Sequence, residues 1–221
     1  MMRRLASWIG VALVTGLPVA ALAQSGGDAG VPVVRRASQA YQSLSSFQAN
    51  FHQHFEDKAV DQPDQKGVLY QQGTNLFAMR FTDPPKDAIV SDGSKLWVYT
   101  PSETPGQVLQ YPLQNHPTYG SNLLAMFLDN ATDRYRITYL RSEPIDGHMT
   151  DVVLMEPLES DLPFRRATIW FDRDNHMPRK LDIEEMHDRR RILQLSQLQL
   201  NRSIDPSLFR CKTPLGTRIV N

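Results

Sequence analysis

His52 and His54 are two residues apart, the spacing that puts both imidazoles on one face of a strand, and such a pair is half of a zinc site. The remaining histidines, His116, His148, His176 and His187, fall near expected loops or strand ends. Nothing in their spacing assigns a third ligand, so the pair reads as solvated strand histidines and no metal is expected. Glu184, Glu185, His187 and Asp188 form a second cluster in which acid–base chemistry is conceivable. It adjoins Arg189, Arg190 and Arg191, which makes a solvated, charge-paired turn at a hairpin tip the better reading. The chain has no Gly-x-Ser-x-Gly elbow, no His-Glu-x-x-His and no Cys–His pair of recognised spacing. No enzymatic activity and no cofactor are expected.

Lys plus Arg and Asp plus Glu both number 24 in the 221 residues, so no basic excess exists to neutralise phosphates and no nucleic acid is expected as partner. Arg3 and Arg4 precede an apolar run from Leu5 to Leu22, and Ala21-Leu22-Ala23 is a small-x-small cleavage signal. Residues 1–23 are therefore expected to be a cleaved signal peptide that exports the chain by ordinary secretion. Gly10, Gly16 and Pro18 interrupt the run, which disfavours an uncleaved membrane anchor. Position 24 is Gln and the one cysteine is Cys211, so the mature amino terminus offers no thiol for a lipid anchor, and no internal disulfide can form.

The elements that would position any site follow from two hydrophobic periods. Residues 24–32 are expected to be a flexible leader, with Pro32 tolerated at a helix start. A helix to about Leu44 carries Val34, Ala37, Tyr41 and Leu44 in a narrow apolar stripe. From Ser46 the period becomes two, Phe47, Ala49, Phe51, Gln53 and Phe55 alternating with Gln48, Asn50, His52 and His54. Ten further short strands are expected, the last from Arg189 to Asn201. Ser91-Asp92-Gly93-Ser94 is the best hairpin turn, and Pro144-Ile145-Asp146-Gly147 and Asp174-Asn175 suggest others, which favours an antiparallel meander. Leu123, Leu124, Phe127 and Leu128 fall on one side of a short helix that Ser121 or Asn122 can cap and Asn130 can end. Leu193 and Leu195 are out of phase with Leu198 and Leu200, which places a bulge near Ser196-Gln197. The expected fold is mainly β with some α: one strongly curved sheet with short helices over its concave side, because a flat sheet of so many strands curls, splits or closes. The large apolar residues on these strands suit a filled core and a greasy cavity equally well.

Several blocks resemble the outer-membrane lipoprotein carrier proteins, the LolA-like family. Phe47-Gln48-Ala49-Asn50-Phe51-His52-Gln53 is similar to its first-strand motif, Gly67-Val68-Leu69 with Asn75-Leu76-Phe77 to its next hairpin, and Ile89 through Pro101 to its longest block. Phe209 with Thr213-Pro214-Leu215-Gly216-Thr217 resembles its closing strand. The resemblance implies a single domain over 33–221, an unclosed β-barrel with a helical lid and a hydrophobic cavity. It implies a periplasmic chaperone that takes acylated lipoproteins from an inner-membrane ABC-type release complex to an outer-membrane receptor or the outer membrane itself. Strand parity and the motifs together give Phe51, Leu69, Met79, Phe81, Trp97 and Tyr99 as cavity lining, Tyr41, Leu44, Leu123, Leu124 and Phe127 as lid, and Phe77 near the rim where the release complex docks. A monomer is expected. Family members carry an arginine at the position of Gly73 that ties the lid; here the tie must be weaker or come from another residue, Arg80 and Arg36 being the candidates. The alternative from another class is a half-barrel module of the cell envelope that senses lipid and binds a signalling partner.

Overall fold

The computed structural model describes residues 29–57, 63–73, 75–113, 122–159 and 162–221. The expected signal peptide, the leader to residue 28, His116 and Ser121 lie outside the described residues. The first helix, α1 (Gly30–Gln42), takes in positions 30–32 that the sequence reading gave to the leader. Pro32 fits there because the first-turn N–H groups have no intrahelical acceptor. Gly30 sits against strand backbone so closely that a Cβ would lie 2.8 Å from the Tyr139 nitrogen.

Two antiparallel meanders make the sheet. The first runs through β1 (Ser46–Glu56), β2 (Gln65–Gln72), β3 (Leu76–Asp83), β4 (Ala88–Asp92), β5 (Lys95–Tyr99) and β6 (Gln107–Pro112). The second runs through β7 (Tyr135–Ile145), β8 (His148–Pro157), β9 (Phe164–Asp172), β10 (Pro178–Glu185) and β11 (Arg190–Leu200). Antiparallel pairing of β1 with β11 joins them, and β12 (Arg218–Val220) adds to β6 in parallel. The order β12-β6-β5-β4-β3-β2-β1-β11-β10-β9-β8-β7 leaves β12 and β7 as separate edges, so the curved sheet is unclosed. The closing strand lies beyond the 209–217 block that the resemblance assigned to it: Phe209 belongs to a 3-10 turn, Pro206–Phe209, and Leu215-Gly216 form a turn.

Local chemistry accounts for the hairpins. Asp92 Oδ1 accepts from the Ser94 and Lys95 backbone N–H groups at 2.9 and 2.8 Å, and Gly93 takes φ +92°, so the β4–β5 turn is closed by its own aspartate. Asp146 and Gly147, at φ +48° and +79°, supply the two left-handed residues that a tight β7–β8 hairpin needs. The bulge is at Gln197 (φ +51°), where the register moves from Gln48 opposite Gln199 to Asn50 opposite Ser196. The extra residue brings Leu198 and Leu200 back to the side of Leu193 and Leu195, and all four meet the same apolar cluster.

That cluster fills the concave side. It joins α1, α2 (Leu123–Leu128) and the short α3 (Ala131–Arg134) to inward residues of both meanders, from Phe47 and Leu69 to Leu181 and Leu193. A second, smaller cluster of Ala78, Ala88, Val90, Ile204 and Phe209 lies on the opposite side of the first meander, under the C-terminal segment. Where β1, β2 and β3 cross, Phe51 and Phe81 pack edge to face with centroids 5.1 Å apart. Gly67 stands opposite both in the register, and a Cβ there would lie 2.1 Å from the Arg80 carbonyl oxygen and 2.8 Å from the Phe51 ring. Gly67→Ala is expected to destabilise the fold by roughly 1–3 kcal/mol, as overpacking of a tight site does. Chemical denaturation measures it; an unchanged midpoint would show that β2 and β3 do not approach this closely.

Candidate functional site

The apolar interior is read most directly along the ladders that cross the first meander. Ala49, Leu69, Met79, Ile89, Val98 and Leu109 lie side by side, and the next interior row runs through Phe47, Gln71, Phe77, Ser91, Leu96 and Tyr111. Among the residues expected to line a cavity, Phe51, Leu69, Met79 and Phe81 are in the interior cluster, with Tyr41, Leu123, Leu124 and Phe127 of the covering helices; Leu44 is half-buried against it.

Trp97 and Tyr99 are elsewhere. Trp97 pairs with Val90 and Tyr99 with Ala88, both members of the outer cluster, and Trp97 packs against that cluster while its indole N–H donates to Asp92 Oδ2 at 2.7 Å. Strand alternation then puts Leu96 and Val98 on the interior side in their place. Phe77 also differs from expectation: it is 1% exposed, beneath the helices and opposite Gln71 and Ser91, so it is no open rim in this closed arrangement.

A polar knot holds the cover at the start of α2. All six residues of α2 are buried, as suits a segment that is apolar all round. Asn122 caps its first turn, accepting from the Ala125 N–H at 3.1 Å through Oδ1 and donating through Nδ2 to the Tyr41 hydroxyl at 2.9 Å. The same hydroxyl accepts from Gln71 Nε2 at 2.6 Å, so α1, β2 and the start of α2 meet on one oxygen. At the other end of α2, the Tyr135 hydroxyl donates to the Met126 carbonyl at 2.7 Å, and Phe127 packs on Phe164 with centroids 5.2 Å apart.

Neither arginine considered for the tie supplies it. Arg80 points outward and donates from Nη2 to the Leu208 and Arg210 carbonyls, both at 2.6 Å, which pins the C-terminal segment to the outer face. Arg36 is exposed beside an open hollow of about 300 Å³ that it shares with Asp151, Asp172, Arg173 and His176. Gly73, where the family arginine is missing, has φ +57°, a conformation glycine adopts without a steric cost. The knot has a built-in weakness: Gln71 Oε1 is buried without a hydrogen-bond partner among the described residues. Such an orphan costs about 1–3 kcal/mol, which offsets part of what the two bonds to Tyr41 contribute.

The other sequence candidates sit on the outer surface or at the ends. Glu184, Glu185 and Asp188 are ion-paired with Arg166, Arg189 and Arg165 at 2.8, 3.2 and 3.1 Å around the 3-10 turn Met186–Asp188. His52 and His54 face outward from β1.

The model of the family described as "Outer membrane lipoprotein carrier protein LolA" matches residues 42–212. The chain belongs to the LolA family. Relatives named "Outer-membrane lipoprotein carrier protein" include one from Chromohalobacter salexigens, 25% identical over 92% of this chain and 91% of its own length. Another, from Salmonella paratyphi B, is 29% identical over 80% of this chain and 81% of its own. Among solved structures, an uncharacterized conserved protein from Thermus thermophilus superposes with a TM-score of 0.55 at 10% identity, covering 86% of this chain and 97% of that one. MucB does so with 0.52 at 14% identity, covering 85% of this chain and 64% of its own. These two likenesses show a shared fold.

Burial pushes the Tyr41 hydroxyl above the ordinary phenol value, against the lowering by the Gln71 and Asn122 bonds, and the charge of Asp129 adds to the rise. The folded chain therefore holds this proton more tightly than the unfolded one. The contribution of the neutral phenol is complete below about pH 10 and is lost as the pH climbs through the higher folded value. Tyr41→Phe should loosen α2 and increase binding of a hydrophobic fluorescent dye at neutral pH, at a global cost of about 1–2 kcal/mol. In the wild type, dye binding should rise only in strongly alkaline buffer. A variant as dye-silent as the wild type at neutral pH would remove Tyr41 from the cover.

Proposed function

We propose that this chain is a periplasmic carrier that shields the acyl chains of lipoproteins on the way from the inner to the outer membrane. The observation that carries the reading is an apolar concave sheet face packed against the apolar side of α1 and the wholly buried α2, which are tied down at a few polar points. Moving α2 aside exposes Leu123, Leu124, Phe127 and Leu128 together with the sheet beneath, at a cost on the order of 2 kcal/mol per side chain. An acyl chain lying in their place regains about 0.8 kcal/mol per CH₂. The two are comparable, so cargo can replace the cover without a large net change, whereas an acyl chain left in water loses the whole amount.

In the loaded state Phe51, Leu69, Met79, Phe81, Leu96 and Val98 contact the chains, α2 swings outward on the release of Tyr41, and Phe77 becomes accessible to a partner. The family membership supports an inner-membrane ABC-type complex as donor and an outer-membrane receptor or the membrane itself as acceptor, with residues 1–23 exporting the chain and a single domain acting as a monomer. No catalytic step is needed.

Mass spectrometry of the protein drawn gently from the periplasm should find co-purifying triacylated lipoprotein, and depletion of the protein should leave lipoproteins at the inner membrane. Lipid-free protein under conditions that load a known carrier, together with normal lipoprotein sorting after depletion, would overturn the reading.

A further inference from the structure

Leu215 is fully exposed, whereas the other exposed large apolar side chains among the described residues are 41–55% exposed. A single apolar residue on a protein surface is ordinary; its mounting and its neighbours set this one apart. The turn that carries it is fastened on both sides. Before it, Phe209 is buried against Ala78, Ala88 and Val90, and Arg80 holds the Leu208 and Arg210 carbonyls. After it, Thr217 donates from its N–H and its hydroxyl to the Pro214 carbonyl at 3.2 and 2.8 Å. The Arg218 N–H bonds the Gly106 carbonyl at 2.9 Å, and β12 pairs with β6. Gly216, at φ +85°, turns the chain between them. Leu215 therefore projects from a fixed support.

The charges around it are of one sign. From Pro206 to Asn221 the chain has Arg210, Lys212 and Arg218 and no acidic side chain, in a protein whose formal charges sum to zero. All three cations are exposed, and none forms an ion pair among the described residues. Arg218 donates to the Gln107 side-chain oxygen at 3.0 Å. Asp205, just before the segment, bonds Ser207 with both oxygens at 2.8 and 2.9 Å. Glu103 is an exposed carboxylate in the loop that carries Gly106, and it leaves the cations in excess.

From this arrangement we infer that the turn around Leu215 is a contact for an anionic phospholipid surface, with Leu215 entering the acyl layer and Arg210, Lys212 and Arg218 meeting the headgroup phosphates. A lipid surface fits better than an acidic protein because Leu215 projects from a narrow turn between Pro214 and Gly216. A protein partner would have to match that shape and seal it from water. Fluid lipid needs no such match. Long basic side chains also keep their charges at headgroup level while their stems lie along the apolar boundary. Each cation near an anionic surface raises partition about fivefold, so three of them with one leucine give a weak, salt-sensitive contact that releases readily. The contact needs neither cargo nor an open cover, so it stands or falls separately from the carrier reading.

The test uses the lipid-free protein purified from the periplasm and co-sedimentation with vesicles. Binding to vesicles of phosphatidylethanolamine and phosphatidylglycerol should exceed binding to phosphatidylcholine vesicles at least about tenfold at low salt, and it should fall as salt is raised. Leu215→Ser should lower the partition about tenfold, and Arg210→Gln and Lys212→Gln about fivefold each. Melting temperatures should stay at the wild-type value, because all three side chains are exposed. Leu215→Trp should bind, with its added indole emission shifting to the blue on the anionic vesicles alone. Equal binding to both kinds of vesicle, or a Leu215→Ser variant that binds as the wild type does, would overturn the inference. So would impaired cargo transfer in these variants with no vesicle binding by the wild type, which would assign the turn to a protein partner and leave the carrier reading intact.

Discussion

The structure is governed by the need to keep water from the inner face of a sheet that is too apolar to be exposed and too open to cover itself. A closed barrel would bury that face among its own strands. Here β12 and β7 end the sheet without meeting, and the gap in coverage is filled by α1, α2 and α3. Every residue of α2 is buried, which leaves it no solvent face of its own and makes its stability a property of the surface beneath it.

Covering helices of this kind hold by two different interactions. Apolar contact is strong but indifferent to which greasy group supplies it, so another apolar group can substitute for Leu124 or Phe127. Hydrogen bonds at Tyr41 are specific to the closed arrangement, and no hydrocarbon can replace them. Their net worth is limited, because an intramolecular bond is exchanged for one with water on opening. Gln71 Oε1, buried without a hydrogen-bond partner among the described residues, lowers it further. The cover is thus specified in position by polar groups and stabilised in bulk by contacts that cargo can imitate, a combination suited to reversible opening.

The outer face has a different task. Its apolar patch at Ala78, Ala88 and Val90 is closed off by Ile204 and Phe209, and Arg80 fixes that segment through two carbonyls. The outer side of the second meander carries ion pairs instead, such as Arg190 with Asp182 and Glu56 at 2.5 and 3.0 Å. Chemistry is thereby segregated: exchangeable apolar contact inside, fixed packing and charge outside.

Alternation, turn residues and the phase change at Gln197 made the strands, the β4–β5 hairpin, the bulge and the Asn122 cap legible in the sequence, because each depends on neighbours within a few residues. The family motifs carried the half-barrel and the interior positions of Phe51, Leu69, Met79 and Phe81. Trp97 and Tyr99 were misassigned because the face of β5 depends on the β3–β4 register, which no local pattern fixes. Gln71 reaches Tyr41 across 30 residues and Asn122 reaches it across 81, so the knot under the helices exists only once the elements have packed. Asp64 likewise meets His52 and His54 only when the hairpin closes. What the sequence alone determined was which segments are strands and which residues avoid water; the tertiary structure decided which side each strand turns inward and which distant polar groups meet, because both are properties of packing between elements.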